Sequence, residues 1–413
     1  MSVWQRVTAA VLAIGAAVAV VLAFTGDDGR TAAAAPKVAA TPLWSVRRVP
    51  QPVVDAVGAQ RLQHVLDDNI GGDTTCFLVD GSGALLASHN PDMPLLGAST
   101  QKVLVAAAML STLGPDFVYE TRVTAPAAPQ DGAVDHLWLV GGGDPVLATD
   151  DYREYLQSQG KTKGDVTTRL ETLADSIAAA GVHRVPGGII ADDSRYDDQR
   201  AVPTWEPQYQ KEGDVGPLGA LTVNDGFRSW ATSKVPVTDP ALYAATELTS
   251  LLTARGVQVG APSRGVSPPN AVEVAKVASP PLRDVLGSML ASSDNSSAEL
   301  FTKELGYQVS HQGTTAAGTA VILAKLRELG VPTDGVVLQD GSGLDRGDRV
   351  TCRTLVAALA LGDRPNMRAL WDGLPVAGQN GTLFDQLNDT KLAGKMRGKT
   401  GSLNGVSGLL GMV

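Results

Sequence analysis

The hydrophobic pattern divides the chain into stretches of different character. An almost unbroken apolar run of about 18 residues, Val7 to Phe24, follows Arg6 and precedes Asp27 and Asp28. Such a run at the extreme N-terminus is read as a secretory signal peptide or a single membrane anchor over residues 1–25, so the chain is expected to be exported. Residues 26–49, rich in Ala, Pro and Thr without a period, form a linker. Short apolar runs Thr74 to Asp80 and Ala84 to His89 flank Asp80-Gly81-Ser82-Gly83, which predicts a hairpin. Then Ser99 opens STQKVLVAAAML, apolar on all sides from Val103 to Leu110, and a helix of that kind belongs in the centre of a domain.

The middle, residues 112–280, is punctuated by Gly141-Gly142-Gly143-Asp144-Pro145, Gly187-Gly188 and several prolines. Short strand-like runs, His136 to Val140 and Gly188 to Ala191, and one helical stretch, Val166 to Ala180, predict inserted β-rich domains. Helical patterning returns over Leu282 to Ala291, Ala298 to Leu305, Thr314 to Leu329 and Arg353 to Leu361. Asn404-Gly405, between Met396 to Leu403 and Val406 to Val413, predicts a closing hairpin. The apolar content of 44% can fill a sizeable core. The balance of 34 basic against 43 acidic residues gives −9, which draws the chain to neither nucleic acid nor anionic lipid. Five scattered histidines show no metal-ligand spacing, and no metal or cofactor is expected. Export would let Cys76 and Cys352 form a disulfide, and their spacing leaves the pairing open.

Three short motifs bear chemistry. Ser99 and Lys102 lie one helical turn apart and share a face. A serine hydroxyl needs a base, and lysine serves only when neutral, which burial in an apolar helix favours. Ser158-Gln-Gly-Lys161 repeats the spacing in polar sequence with no apolar helix behind it, so context selects Ser99. Ser293-Asp294-Asn295 joins two helical segments, with Ser296-x-x-Glu299 read as a capping box opening the second. Lys399-Thr400-Gly401 lies on the first strand of the closing hairpin. Lys399 offers a cation, Thr400 and Ser402 hydroxyls for a carboxylate, and Gly401 room for a substrate against the strand. The N–H groups of Ser99 and Ser402 could form an oxyanion hole.

Other readings fail on particular residues. Gly398-Lys399-Thr400 mimics the end of a phosphate-binding loop, but position 393 is Ala. Asp340-Gly-Ser-Gly-Leu344 does not match a nucleophile elbow and reads as a turn.

The ordered trio is the signature of serine penicillin-binding proteins and β-lactamases. The long gap between Ser99 and Ser293 resembles the class C low-molecular-mass penicillin-binding proteins, the D-Ala-D-Ala carboxypeptidase/endopeptidase family. LWLVGGGDPVL from Leu137, IIADDSRYDD from Ile189, GPLGALTVND from Gly216, DGSGLDR from Asp340 and GTL from Gly381 are similar to that family's sequences. The resemblance implies an α+β fold: a serine β-lactamase/transpeptidase-like domain, an antiparallel sheet flanked by helices, split by the insertions into residues 50–111 and 281–413. In that family a further strand and a C-terminal helix follow the hairpin, so the second part, ending at Val413, is expected to be truncated. The resemblance further implies acyl transfer on peptidoglycan stem peptides, with β-lactam antibiotics as inhibitors. Ser99 would be the nucleophile, Lys102 its base and Ser293 the proton donor to the leaving D-alanine. Asn295 would hold the acyl chain's amide or Lys102, and Lys399, Thr400, Gly401 and Ser402 would bind substrate. A β-lactamase and a non-catalytic penicillin-sensing wall-binding module are the alternatives.

Overall fold

The computed structural model describes residues 51–81, 83–160 and 164–413. The apolar run Val7 to Phe24 lies outside them, and no helix among the described residues is long and apolar enough to cross a membrane.

The chain enters through helix α1 (Gln51–Ile70), which packs on the hairpin β1 (Phe77–Gly81) and β2 (Ala84–His89) through Leu62, Leu66, Phe77 and Ala87. The polypeptide then turns inward. Helix α2 (Lys102–Leu113) is buried along Lys102 to Leu110, as a segment apolar on every side must be. It forms the axis of a core that also takes Leu282, Leu286, Phe301, Ile322, Leu359 and Leu410. Residues before the insertion thus share one core with residues after it.

Between them lies a five-stranded mixed sheet. Strands β3 (Glu120–Ala125) and β4 (Leu137–Val140) are antiparallel. Two short helices of the segment follow, α3 (Asp150–Ser158) and α4 (Leu170–Ala179), and then β5 (Ile189–Asp192), parallel to β4. Helix α5 (Pro240–Ala254), β6 (Ser263–Arg264) and β7 (Val272–Ala278) complete the unit in the strand order β6-β5-β4-β3-β7. Alternate residues Val123 and Ala125, Leu137 and Leu139, and Ile189 and Ala191 point to one face, where they meet Leu173 and Ile177 of α4 and Ala245 and Leu248 of α5. This core is separate from the first. Residues between β5 and α5 do something else: Tyr196, Trp205 and Leu218 pack with Leu300 and Leu344 of the segment that follows the insertion.

After the insertion come α6 (Leu282–Ser292), α7 (Asn295–Ser310), α8 (Thr315–Glu328) and α9 (Cys352–Ala360), then the hairpin β8 (Arg397–Leu403) and β9 (Val406–Met412). The hairpin pairs Arg397 with Met412 through Leu403 with Val406, as its Asn404-Gly405 turn requires. Helix α9 packs against both β1 and β9, and a disulfide joins Cys76 to Cys352 with Cα atoms 6.1 Å apart. The pairing that sequence spacing left open is therefore made. Among the described residues the N-terminal hairpin pairs within itself, the closing hairpin adds a single antiparallel bridge from Arg397 to Val376, and the one sheet of more than two strands belongs to the insertion.

Candidate active site

Ser99 sits half-buried on a 3-10 turn, Ala98–Gln101, that runs directly into α2. Ala98 adopts a left-handed conformation, φ 46°, an uncommon state for a residue with a Cβ. Ser99 is thus partly exposed while its partner Lys102 stays inside. Lys102 is fully buried, and its Nζ donates to Ser99 Oγ at 2.8 Å, Asn295 Oδ1 at 2.7 Å and the Ser342 carbonyl at 2.7 Å. Burial pushes its pKa down to about 8, against the opposing pull of the Asp340, Asp294 and Glu299 carboxylates.

Ser293 ends α6 in a left-handed conformation, φ 60°, which turns its side chain toward β8. Asp294 then caps α7, accepting from the N–H groups of Ser296 at 3.1 Å and Ser297 at 3.0 Å. This corrects the capping-box reading. The cap lies two residues earlier, and Glu299 turns inward to accept from Gly341 N at 3.0 Å and Ser342 N at 2.7 Å. Asn295, in the first turn of α7, gives its oxygen to Lys102 and donates through Nδ2 to the Asp214 carbonyl at 2.8 Å. Of the two partners expected for Asn295, the structure supplies Lys102.

On β8, Lys399 is fully buried and donates to Ser293 Oγ at 2.7 Å and to the Thr400 carbonyl at 2.7 Å. Burial first, and the like charge of Lys102 second, hold its pKa well below the usual lysine range. Thr400 Oγ1 donates to Thr382 Oγ1 at 2.9 Å, and Ser402 is exposed two residues on, along the same side of the strand. Gly401 lies on the opposite side. A Cβ there would stand 2.6 Å from the Gly97 carbonyl oxygen and 3.2 Å from Thr100 N. The absence of a side chain at Gly401 lets β8 pack closely on the turn that carries Ser99.

Every singled-out residue thus falls into one cluster. The competing Ser158 does not: it is exposed at the end of α3 and bonds back to Tyr155 O at 2.6 Å. The turn expected from Asp340 to Leu344 also belongs to the site. The loop is buried, its Ser342 carbonyl touches Lys102, and a Cβ on Gly343 would meet the Ala98 carbonyl at 2.1 Å. Thr382, Asp340, Ser342 and Glu299 are therefore parts of the site to which the sequence reading gave no role in the chemistry. Each alone imitates something ordinary: Asp340 and Ser342 among glycines a turn, Glu299 a helix cap.

The family model for D-Ala-D-Ala carboxypeptidase 3 (S13) matches residues 59–234 and 228–413. The chain belongs to the S13 D-Ala-D-Ala carboxypeptidase family. A carboxypeptidase of Mycobacterium tuberculosis is 32% identical over 340 residues, covering 80% of this chain and 71% of that protein. The D-alanyl-D-alanine carboxypeptidase of Actinomadura sp. strain R39 is 29% identical across 94% of this chain and 86% of its own length. In structure, this S13 member is similar to penicillin binding protein 4 of Haemophilus influenzae, with a TM-score of 0.70 at 20% identity over 83% of this chain and 88% of that one. The chain therefore has the penicillin-binding fold with inserted domains, and family membership makes it a serine-type D-Ala-D-Ala carboxypeptidase.

Proposed function

We propose that the protein cleaves peptidoglycan stem peptides ending in D-Ala-D-Ala through an acyl-enzyme on Ser99, and that it also opens peptide cross-links. The observation that carries this reading is the 2.8 Å contact between Lys102 Nζ and Ser99 Oγ, made by a lysine whose burial favours the neutral form. Lys102 takes the hydroxyl proton as Ser99 attacks the carbonyl between the two D-alanines. The N–H groups of Ser99 and Ser402 receive the developing oxyanion. Ser293, backed by Lys399, passes a proton to the departing amine, and Thr400 and Ser402 hold the terminal carboxylate beside Lys399. Water then frees the acyl-enzyme. β-Lactams, whose strained ring amide takes the place of the peptide bond at Ser99, act as inhibitors because their acyl-enzyme persists.

We assign residues 50–111 and 281–413 to one penicillin-binding domain and 112–280 to the insertions. Their separate apolar cores support that division. We further assign the protein to the cell envelope outside the cytoplasmic membrane, with residues 1–25 as signal or anchor. The Cys76–Cys352 disulfide supports an oxidising compartment.

Mass spectrometry after incubation with penicillin, followed by peptide mapping, tests the site. One adduct on Ser99, absent from Ser99→Ala, is expected. An adduct on Ser158 or Ser342 overturns the assignment, and rapid steady-state β-lactam hydrolysis would make the protein a β-lactamase instead.

A further inference from the structure

Lys102 Nζ has three polar neighbours, and two of them can only accept. Asn295 Oδ1 is one, its amide orientation fixed because Nδ2 donates to Asp214 O, and the Ser342 carbonyl is the other. Ser99 Oγ alone can either accept or donate. A neutral primary amine carries two hydrogens and one lone pair. With both hydrogens committed to Asn295 and Ser342, the lone pair faces the Ser99 hydroxyl, and the proton can pass without the amine turning. The direction of the base is therefore set by two acceptors, of which one stands on a helix and the other on a loop.

That loop is held from beneath. Glu299 lies one turn beyond Asn295 on α7 and is fully buried; its Oε1 accepts from Gly341 N at 3.0 Å and Ser342 N at 2.7 Å. Asp340 closes the loop on itself, accepting from Gly343 N at 2.7 Å and Asp345 N at 2.8 Å, and ties it to Trp205 Nε1 at 2.8 Å. Gln101, next to the lysine, donates to the Asp340 carbonyl at 2.8 Å. Gly341 sits so close to α7 that a Cβ would lie 1.9 Å from Thr302 Oγ1. One helix thus supplies the first acceptor directly and the second through the loop it carries.

We propose that Glu299 is a positioning residue for acylation: by holding the N–H groups of Gly341 and Ser342 it keeps the Ser342 carbonyl on Lys102 and presents the amine's lone pair to Ser99. The proposal rests on the reading of Ser99 and Lys102 as nucleophile and base. The charged groups acting on Lys102 are Asp340, Asp294 and Glu299, and Lys399 stands across Ser293 from it. Burial, then the Asp340 carboxylate, raises the Glu299 pKa toward the neutral acid, of which glutamine is the isostere.

The experiment measures Ser99 acylation by a chromogenic β-lactam against pH in the whole chain, for wild type, Glu299→Gln and Glu299→Met. The glutamine oxygen can still accept both N–H groups, so Glu299→Gln should keep its plateau rate within about threefold of wild type, its inflection moving only to lower pH as the Glu299 charge is lost. Glu299→Met should lose about a hundredfold of the plateau rate, the lower end of what a well-placed base supplies. Its inflection should move to lower pH, because the ammonium loses an acceptor. A purely structural role would lower the melting temperature yet leave plateau and inflection of the folded protein unchanged. Folded Glu299→Met with wild-type values, or Glu299→Gln as slow as Glu299→Met, overturns the proposal. Should Glu299→Met not fold, Glu299→Asp, an acid one methylene too short to reach the loop, carries the same expected loss. Absence of a Ser99 adduct on wild type would sink the functional reading and this proposal together. Normal wild-type acylation with an indifferent Glu299→Met sinks this one alone.

Discussion

Lys399 Nζ donates to Ser293 Oγ at 2.7 Å, joining the closing strand to the end of α6. Because the serine oxygen accepts from lysine, its own hydrogen is free to go to a leaving nitrogen. Ser293→Ala should therefore cut kcat/KM on a D-Ala-D-Ala peptide by about a hundredfold, the low end for general acid catalysis. Ser293 also sits at φ 60°, where a Cβ is strained and glycine is not. Ser293→Gly should accordingly melt higher than Ser293→Ala while remaining as slow. A glycine variant with wild-type turnover would remove the hydroxyl from the mechanism.

The pH dependence follows from Lys102. Its pKa is pushed down to about 8, so the neutral base is a minority at neutral pH. The acylation rate should rise with pH through about 8 and then level off. Lys102→Arg keeps the charge and cannot release its proton, so it should fold but lose acylation. Stability moves with the same group. Below about 8 lysine is protonated in both folded and unfolded chains; between 8 and its ordinary 10.5 only the unfolded chain holds the proton. Unfolding free energy should then rise with pH across that interval, to which the depressed Lys399 adds in the same direction. A Lys102→Met variant should lose its share of that slope, read by urea denaturation at stepped pH.

What patterning could reach is visible in particular elements. Helices expected at Leu282 to Ala291 and Thr314 to Leu329 are found at Leu282–Ser292 and Thr315–Glu328, because an apolar stripe defines both and a Thr314 cap opens the second. Helix α5 carried an Asp239 cap and Pro240 at its first position yet went unmarked. Thr246, Thr249, Ser250 and Thr253 dilute its periodicity, their hydroxyls donating back to carbonyls one turn earlier. In the site, Ser99, Lys102 and Lys399 were legible because each needs only its local context to be distinctive. Glu299 and Ser342 were not: their parts depend on a loop and a helix meeting in space, and each alone imitates a cap or a turn.

Thr400 tests recognition rather than chemistry. Its hydroxyl lies 2.9 Å from Thr382 Oγ1, which orients it beside the buried Lys399. A hydroxyl bond to a charged carboxylate contributes about 1.5–3 kcal/mol. Thr400→Val should therefore slow release of D-alanine from a peptide by about ten- to a hundredfold. A substrate esterified at that carboxylate should be affected far less. Equal losses on both would show that Thr400 acts on the strand and not on the substrate.

The disulfide poses a separate question, because it links Cys76, just before β1, to Cys352, the first residue of α9, across a separation of 276 residues. The N-terminal hairpin and α1 have only a small apolar core of their own, Leu62, Leu66, Phe77 and Ala87, and so depend on attachment to α9. Closing so long a loop restricts the unfolded chain by about 5 kcal/mol at most on an entropic account. Cys76→Ser should lower the melting temperature, and amide exchange should quicken first in β1 and β2 while α2 stays protected. Acylation of Ser99 at room temperature should survive, since the hydrogen bonds around Ser99, Lys102, Ser293 and Lys399 involve none of the hairpin's residues. If reduction changes neither melting nor exchange, α9 holds the hairpin by packing alone. If it abolishes acylation, the hairpin reaches the site through the backbone bridge between Leu95 and Val350, whose two N–H···O bonds of 2.8 Å lie between the disulfide and the turn that carries Ser99.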